Sequence, residues 1–319
     1  MTAIRPLVTL DDIHAAKRVI APHVRRTPML RSDQLSDRLG VDLNFKLELF
    51  QKTGSFKVRG ALNRMTGLSA DERRRGVVTM SAGNHAQAVA WAARQVDTHA
   101  TIVMPSKAVR SKLEATRHYG GEVILTDADL METMNAVQRE RGLVMVHPFD
   151  DPAIIAGAGT VGDEILDDIP EADVILVGVG GGGIVSGVAV AARARRPGVR
   201  VIGVEPVGAA AMRLSLDRGS PQKLTKVDSI ADGLAAPWVG ELTFEHVRRL
   251  GTEIVTVTDA AITDAMWTIL ERCKVVAEPA GSAPLAALLS GAVTVEPESR
   301  VVCVVTGGNV DREKLRSLA

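Results

Sequence analysis

Short apolar runs rich in β-branched residues alternate with helical segments along nearly the whole chain, and this alternation restricts the fold more than any other feature. Strands buried on both faces of a parallel sheet give such runs, and helices usually connect them. Strands are predicted at Gly76–Met80, Ala100–Met104, Glu122–Leu125, Leu143–Val146, Asp173–Val179, Val199–Val204, Glu253–Val257 and Arg300–Val305. The sequence therefore predicts an α/β fold with mostly parallel sheets flanked by helices.

Two of the intervening segments carry clear helix signals. Residues 84–94 are rich in alanine and apolar along one side, and residues 106–119 follow a proline and stop at two glycines. A short closing helix is expected over residues 311–319. Residues 147–152 contain two prolines and two aspartates, which break the alternation. They are predicted to cross between two lobes.

The composition favours a small-molecule partner. Of 319 residues, 38 are basic and 38 acidic, so no net charge would hold nucleic acid or an acidic membrane. The uncharged run at 174–192 is interrupted by glycines, so it is interpreted as strand, loop and helix rather than as a membrane span. The first residues lack the apolar block of a signal peptide, and the two cysteines, Cys273 and Cys303, fit a reducing compartment. A cytoplasmic location is expected.

Four consecutive glycines, at 180–183, follow the predicted strand at 173–179. Such a loop lets several backbone N–H groups converge on a phosphate, with the positive end of the next helix dipole behind them. The loop also matches the G-x-G-x-x-G fingerprint of dinucleotide sites at Gly178, Gly180 and Gly183. Glu205 ends the next strand at roughly the 20-residue spacing that this fingerprint requires. A nicotinamide dehydrogenase is therefore an alternative at this point.

Three other loops carry candidate chemistry. Lys57, in the segment S-F-K-V-R-G-A at 55–61, could form a Schiff base with an aldehyde cofactor if its surroundings favour the neutral amine. The segment S-A-G-N-H at 81–85 precedes a helix and could bind a carboxylate. The segment T-G-G-N at 306–309 follows the last strand. Because ligands bind beyond the carboxyl ends of strands in such folds, the glycine-rich loops are expected to converge on one crevice.

These motifs, in this order and spacing, resemble those of the fold type II pyridoxal-phosphate enzymes, in particular the threonine/serine dehydratase branch that also contains serine racemase. Further similar stretches are R-T-P-M-L at 26–30, I-A-G-A-G-T at 155–160, G-V-E-P at 203–206, A-D-G at 231–233 and K-V-V-A-E-P-A-G at 274–281. The resemblance covers nearly the whole chain. A dehydrogenase would explain only the loop at 178–184, so it becomes a distant alternative.

The resemblance implies a role for each loop. Lys57 would hold pyridoxal 5'-phosphate as a Schiff base and act as the base at the substrate α-carbon. The implied cofactor contacts are Phe56 beside the ring, Lys57, Asn84 at the ring hydroxyl, Gly180, Gly181, Gly182, Gly183 and Ile184 at the phosphate, Glu278, and Thr306 at the pyridine nitrogen. The implied substrate contacts are Ser81, Ala82, Gly83, Asn84, His85 and Gly233.

The implied reaction is α,β-elimination on L-threonine and/or L-serine, which gives 2-oxobutanoate or pyruvate and ammonia. A racemase, or a lyase for another hydroxy amino acid such as hydroxyaspartate, is the alternative. The implied fold resembles the tryptophan synthase beta subunit. Residues 1–65 and 151–319 would form a large domain and residues 66–150 a smaller inserted one, in a homodimer or homotetramer.

Two residues depart from the pattern of related enzymes. Ala82 stands where racemases of this group have a second serine that protonates the opposite face of the substrate, which argues against racemisation. Ala211 stands where cation-dependent members have a carboxylate near Glu205. A divalent site would therefore lack a ligand, so no metal is expected and Glu205 is predicted to be a capping or structural acid.

Overall fold

The computed structural model describes residues 6–319, which form helices around two β-sheets. In spatial order, the larger sheet contains β1 (Met29–Arg31), β2 (Asp42–Leu47), β10 (Arg300–Val305), β7 (Val174–Gly178), β8 (Arg200–Pro206) and β9 (Glu253–Val257). The smaller sheet contains β5 (Glu122–Thr126), β4 (Ala100–Pro105), β3 (Val77–Met80) and β6 (Val144–Met145). Every strand pair is parallel except β1 with β2. The predicted fold class is confirmed.

All eight predicted strands are present, but the sequence pattern does not predict β1 and β2. Strand β1 has only three residues. Strand β2 buries Asn44 and Lys46 among its apolar residues, and Lys46 is completely buried. A charged side chain inside a sheet requires partners from elsewhere in the fold, and the local sequence does not show them.

The helices cover both sheets. They are α1 (Leu10–Ile20), α2 (Asp33–Leu39), α3 (Lys57–Thr66), α4 (Ala70–Arg75), α5 (Asn84–Gln95), α6 (Arg110–His118), α7 (Leu130–Arg141), α8 (Pro152–Asp168), α9 (Gly183–Arg195), α10 (Ala211–Arg218), α11 (Glu241–Leu250), α12 (Asp259–Cys273), α13 (Pro279–Leu289) and α14 (Arg312–Ser317). The prediction at 84–94 is confirmed by α5. Helix α6 begins four residues later than predicted because residues 105–108 form a turn. Within residues 6–319, every helix is too short or too polar to span a membrane.

The central strands of the larger sheet are buried on both faces. In β7, Val174 and Leu176 belong to the core under α12 and α13, whereas Ile175 and Val177 belong to the core under α8 and α9. Each face therefore receives alternate residues, as expected when helices cover both sides of a parallel sheet. A third core packs α3 and α5 against the smaller sheet.

The strand order of the larger sheet places the loops after β7 and β10 at the same edge. From β7, the chain continues to β8 and β9 on one side and returns through β10 on the other. Neighbouring connections that leave on opposite sides open a crevice at the carboxyl ends of the strands. The loop with the four glycines and the loop at 306–309 both begin here.

Helices α8 and α9 approach closely through glycines. A Cβ atom placed on Gly187 of α9 would overlap the carbonyl oxygen of Ile155 and lie 2.5 Å from the backbone nitrogen of Gly159, both in α8. Because these contacts are to backbone atoms, a side chain could be accommodated only by moving the helices apart.

We expect Gly187→Ala to lower the free energy of unfolding by about 1–3 kcal/mol through overpacking, although alanine favours a helix intrinsically. Gly198→Ala is the matched control, since a Cβ atom there has no neighbour within 4 Å. Urea denaturation of the two variants would measure the difference. Equal midpoints would show that the two helices can separate without cost.

Candidate active site

Lys57 is the first residue of α3, and its amine is withdrawn from solvent. The Nζ atom donates a hydrogen bond of 3.0 Å to the carbonyl oxygen of Pro148 and lies 5.2 Å from the centre of the Phe56 ring. Burial lowers the pKa of Lys57 to about 8, although the negative charge of Glu278 opposes the shift. About a tenth of the amine is therefore neutral and nucleophilic at pH 7, far more than for an ordinary lysine.

A buried ionic cluster anchors the helix that carries Lys57. Arg59, only 1% exposed, donates to both oxygens of Glu48 at 2.8 Å and to both oxygens of Glu164 at 2.7 and 2.9 Å. Burial disfavours the charged guanidinium, but the two carboxylates outweigh it and hold the pKa of Arg59 above its ordinary value. Lys46 donates to Glu164 at 2.8 Å and to the carbonyl oxygen of Thr27 at 2.7 Å. The cluster ties α3 to β2 and α8.

The glycine loop after β7 is shaped to present backbone N–H groups. Gly182, the N-cap of α9, has a φ of 93°, and no side chain caps the 13-residue helix. The first N–H groups of a helix have no partner within it, so these remain available to an anion. The Ile184 side chain is buried in the core, so only its backbone can take part.

Neighbouring groups hold the glycine loop in place. The Thr243 hydroxyl donates to the carbonyl oxygen of Gly181 at 2.7 Å. A Cβ atom on Gly181 would overlap the ring of Phe149, and one on Gly180 would lie 3.1 Å from the carbonyl oxygen of Gly233. The predicted substrate residue Gly233 is thus beside the predicted phosphate loop.

The other predicted loops meet the loop that precedes Lys57. Asn84 donates to Glu278 at 2.7 Å and accepts a hydrogen bond of 2.8 Å from Asn309. Asn309 also donates to the carbonyl oxygen of Thr53 at 2.7 Å, and Phe56 N–H donates to the carbonyl oxygen of Thr306 at 3.1 Å. The structure therefore brings the loops at 53–57, 81–85 and 306–309 together at one place.

Two buried hydroxyl groups at this junction have no hydrogen-bond partner in the described part of the chain, those of Thr53 and Ser55. Ser55 forms a β-bridge with Gly307. A buried polar atom without a protein partner is uncommon and is expected where a water molecule or a ligand binds. Together with the amine of Lys57 and the open N–H groups before α9, these hydroxyls fit a ligand with an aldehyde, a phosphate and further polar groups.

Glu278 is the acidic member of the site. It is buried at the start of α13, and burial raises its pKa to about 7, although the hydrogen bond from Asn84 opposes the shift. Near neutral pH, the Glu278 carboxyl can therefore be protonated or ionised.

The predicted substrate loop divides into two parts. The Ser81 hydroxyl accepts a hydrogen bond of 3.1 Å from Gly83 N–H, and a Cβ atom on Gly83 would have no neighbour within 4 Å. Gly83 is the N-cap of α5 without a side-chain cap, so N–H groups are available there. The His85 ring is buried, with Nε2 3.1 Å from the Thr79 hydroxyl and 3.4 Å from the carbonyl oxygen of Val146. These contacts show a structural role for the ring.

A turn at 147–150, predicted only as a crossing between lobes, contributes to the site. Its Pro148 carbonyl contacts Lys57, and its Phe149 ring lies against Gly181. The His147 and Phe149 rings are 4.7 Å apart in a T-shaped arrangement. The two prolines in the sequence signal a loop here, but no local pattern signals contact with a residue about 90 positions earlier.

Glu205 caps a helix. Its carboxylate oxygens accept from the backbone N–H groups of Met212 and Arg213, both at 2.8 Å, at the start of α10. Burial raises the pKa of Glu205 to about 7, although the hydrogen bonds from these backbone donors oppose the shift. This geometry agrees with the predicted capping role. Over residues 6–319, no group of three histidine, cysteine or acidic side chains is arranged to hold a metal ion.

Known proteins share both the sequence and the fold. The chain is 45% identical to an L-threonine ammonia-lyase of Thermotoga maritima, over 96% of this chain and 76% of that relative. It is 41% identical to the catabolic L-threonine dehydratase TdcB of Staphylococcus aureus, over 96% of this chain and 90% of that relative.

Among solved structures, maize serine racemase superposes with a TM-score of 0.93 at 41% identity, over 98% of this chain and 97% of that one. The processed form of threonine deaminase isoform 2 from Solanum lycopersicum superposes with a TM-score of 0.90 at 36% identity, over 97% of this chain and 91% of that one. The family model described as pyridoxal-phosphate dependent enzyme matches residues 20–307. The chain therefore belongs to the pyridoxal-phosphate dependent enzyme family.

Proposed function

We propose that this protein is an ammonia-lyase that uses pyridoxal phosphate to eliminate water from L-threonine and/or L-serine, with release of 2-oxobutanoate or pyruvate and ammonia. The observation that carries the proposal is the Lys57 amine. Burial brings its pKa to about 8, and it contacts the turn at 147–150 that packs against the N–H-lined glycine loop. Relatives named as threonine ammonia-lyase or threonine dehydratase support the reaction and the substrate class.

The residues at the site suit the parts of the cofactor. Lys57 would bind its aldehyde, and the N–H groups of residues 180–184 would hold its phosphate. Phe56 would lie beside the ring, and Asn84, which already contacts Glu278, would contact the ring hydroxyl. When bound, pyridoxal phosphate supplies an electron-withdrawing ring that makes the α-proton of an amino acid acidic.

The remaining residues would bind the substrate and move its protons. The N–H groups in the first turn of α5, which follow the N-cap Gly83, would hold the substrate carboxylate. The neutral amine of Lys57 would accept the α-proton, since its pKa is close to the working pH. Thr306 would offer the pyridine nitrogen a hydroxyl, which, unlike a carboxylate, does not favour a protonated nitrogen.

Racemisation is a second candidate function, because maize serine racemase is similar over nearly the whole chain. Racemisation requires a proton acceptor on one face of the α-carbon and a donor on the other. Lys57 supplies one face. Ala82, which has a methyl group, cannot supply the other, so elimination is favoured.

The assembly, location and domain boundaries remain predictions. The family suggests a homodimer or homotetramer, and the two free cysteines fit the predicted location in the cytoplasm. The smaller sheet is built from strands between residues 77 and 145, which supports an inserted domain at 66–150. The first five residues of the predicted domain at 1–65 lie outside the described residues.

The proposal is tested by incubating the protein and pyridoxal phosphate with L-threonine, L-serine and 3-hydroxyaspartate while 2-oxo acid and ammonia are measured. We expect turnover of L-threonine or L-serine. Lys57→Ala should reduce it at least about 100-fold, because the base is removed. Lys52→Ala, which alters an exposed lysine nearby, should leave the rate unchanged. The proposal is wrong if no substrate yields an oxo acid or if Lys57→Ala retains full activity.

Support of the phosphate loop by Thr243 can be tested with a matched pair of variants. Thr243→Val keeps the shape but leaves the Gly181 carbonyl without its donor, whereas Thr243→Ser keeps the hydroxyl. We expect the valine variant to bind pyridoxal phosphate about 10-fold more weakly, since a buried unpaired carbonyl costs about 1–3 kcal/mol. Absorbance titration of cofactor-free protein gives both affinities. Wild-type affinity in the valine variant would contradict this role.

The choice between elimination and racemisation should depend on residue 82. The unmodified protein should convert L-serine to pyruvate with little D-serine. Ala82→Ser should raise the ratio of D-serine to pyruvate by adding a hydroxyl, while Ala82→Gly, which adds none, should not. Chiral chromatography after partial turnover measures the ratio. Abundant D-serine from the unmodified protein would mean that another residue serves the second face.

A further inference from the structure

The turn formed by residues 147–150, here named the His147 turn, connects β6 to α8 and is held by one imidazole. His147 Nδ1 accepts from the backbone N–H groups of Asp150 at 2.7 Å and Phe149 at 3.2 Å. Two donors on one acceptor fix the backbone between them. Since both donors are N–H groups, Nδ1 must carry its lone pair and the ring proton must reside on Nε2.

The His147 turn reaches three parts of the site. The Pro148 carbonyl accepts the hydrogen bond from Lys57. The Phe149 ring lies so close to Gly181 that a side chain there would overlap it. The Asp150 carboxylate accepts from the N–H groups of Leu242 and Thr243 at 2.9 and 3.2 Å, which caps the helix whose Thr243 hydroxyl supports the glycine loop.

The neutral form of His147 is the one that the turn requires. Burial lowers its pKa below the ordinary value, and the charge of Lys57 acts in the same direction, whereas Asp150 and Asp151 oppose the shift. Protonation would place a hydrogen on Nδ1 and break both backbone contacts.

We propose that His147 is a positioning residue for the elimination reaction: its imidazole fixes the turn whose Pro148 carbonyl holds the Lys57 amine at the active site. This inference rests on the proposed function. The amine alternates between a neutral form, which accepts the α-proton, and the ammonium that results. A carbonyl acceptor stabilises the ammonium and fixes where the amine lies in both forms.

Several charged and titratable groups around Lys57 affect the pKa of its amine. Glu278 raises the pKa of Lys57, while His85, buried on α5, and His147 interact with its positive charge. His147 is neutral above its lowered pKa, so its replacement removes no charge at pH 7 or higher. Displacement of the Pro148 carbonyl would then lower the pKa of Lys57 through loss of the hydrogen bond to its charged form.

Three variants separate positioning from general stability. His147→Leu removes the acceptor, whereas His147→Asn places its Oδ1 atom close to the position of Nδ1 and can accept both N–H groups. His246→Leu is the control, because it removes another histidine, which is buried and contacts Val8 and Leu242. Circular dichroism and thermal melting would establish that each variant is folded.

The first measurement uses cofactor-free protein. Competitive acetylation of Lys57, followed by mass spectrometry across pH, reports the pKa of its amine. We expect the wild type and His147→Asn to titrate near pH 8. His147→Leu should titrate at lower pH and label about threefold faster at pH 7, and His246→Leu should match the wild type.

The second measurement is turnover of L-threonine by the holoenzyme. His147→Leu should lower kcat about 10-fold or more with little change in KM, because a small displacement of a catalytic group slows the chemical step. His147→Asn should retain most of kcat. If the leucine variant does not fold, His147→Gln replaces it, because the longer side chain carries its oxygen beyond the Nδ1 position.

The outcomes are distinct. If His147→Leu labels Lys57 at the wild-type rate, His147 has only a structural role. If His147→Asn loses as much kcat as His147→Leu, the hydrogen-bond acceptor at the Nδ1 position does not explain the effect. A labelling shift in a protein that releases no oxo acid would contradict the proposed function while leaving the positioning of Lys57 by His147 intact.

Discussion

The site depends on the pairing of one buried arginine with two buried carboxylates. Arg59 engages both oxygens of Glu48 and of Glu164, so the first turn of α3 is fixed to the end of β2 and to α8. Removing one partner from such a cluster costs about 3–5 kcal/mol, because a charge is left buried alone. Lys57 lies two residues before Arg59, and its position follows from this pairing. The two cations in the first turn of α3 have opposite surroundings. Arg59 is paired with carboxylates and stays charged, whereas Lys57 is buried against a carbonyl acceptor and burial lowers its pKa.

The rest of the site is joined by hydrogen bonds from amide side chains that connect its loops. Asn309 links Thr53 to Asn84, and Asn84 in turn contacts Glu278. These contacts connect segments that are far apart in the chain, so loss of one would move a loop without unfolding a sheet. The buried ionic cluster supplies a rigid base, and the amide contacts set the relative positions of the loops that it supports.

The sequence predicts much of this arrangement, because strands buried on both faces have a strong local pattern. All eight predicted strands are present, and the glycine loops lie at strand ends as expected. Strand β2 is not predicted from the sequence, because its Lys46 is buried only with the help of distant partners, Glu164 on α8 and the carbonyl oxygen of Thr27. The sequence does not predict the roles of Pro148 and Thr243 for the same reason. Each acts through a contact with a distant residue, and neither residue type signals that contact locally.

The glycine run itself shows why a local motif can point to two functions. A Cβ atom on Gly178 would lie 3.0 Å from the carbonyl oxygen of Ala280, and one on Gly183 would lie 3.2 Å from Cβ of Phe149. Together with the overlap at Gly181 and the crowding at Gly180, these contacts disfavour a side chain at each position whether or not a phosphate is bound. The match to a dinucleotide fingerprint therefore follows from packing around a strand-to-helix turn. Open N–H groups make such a turn suited to an anion, but the motif does not specify which phosphate compound binds, because that depends on side chains supplied by other parts of the fold.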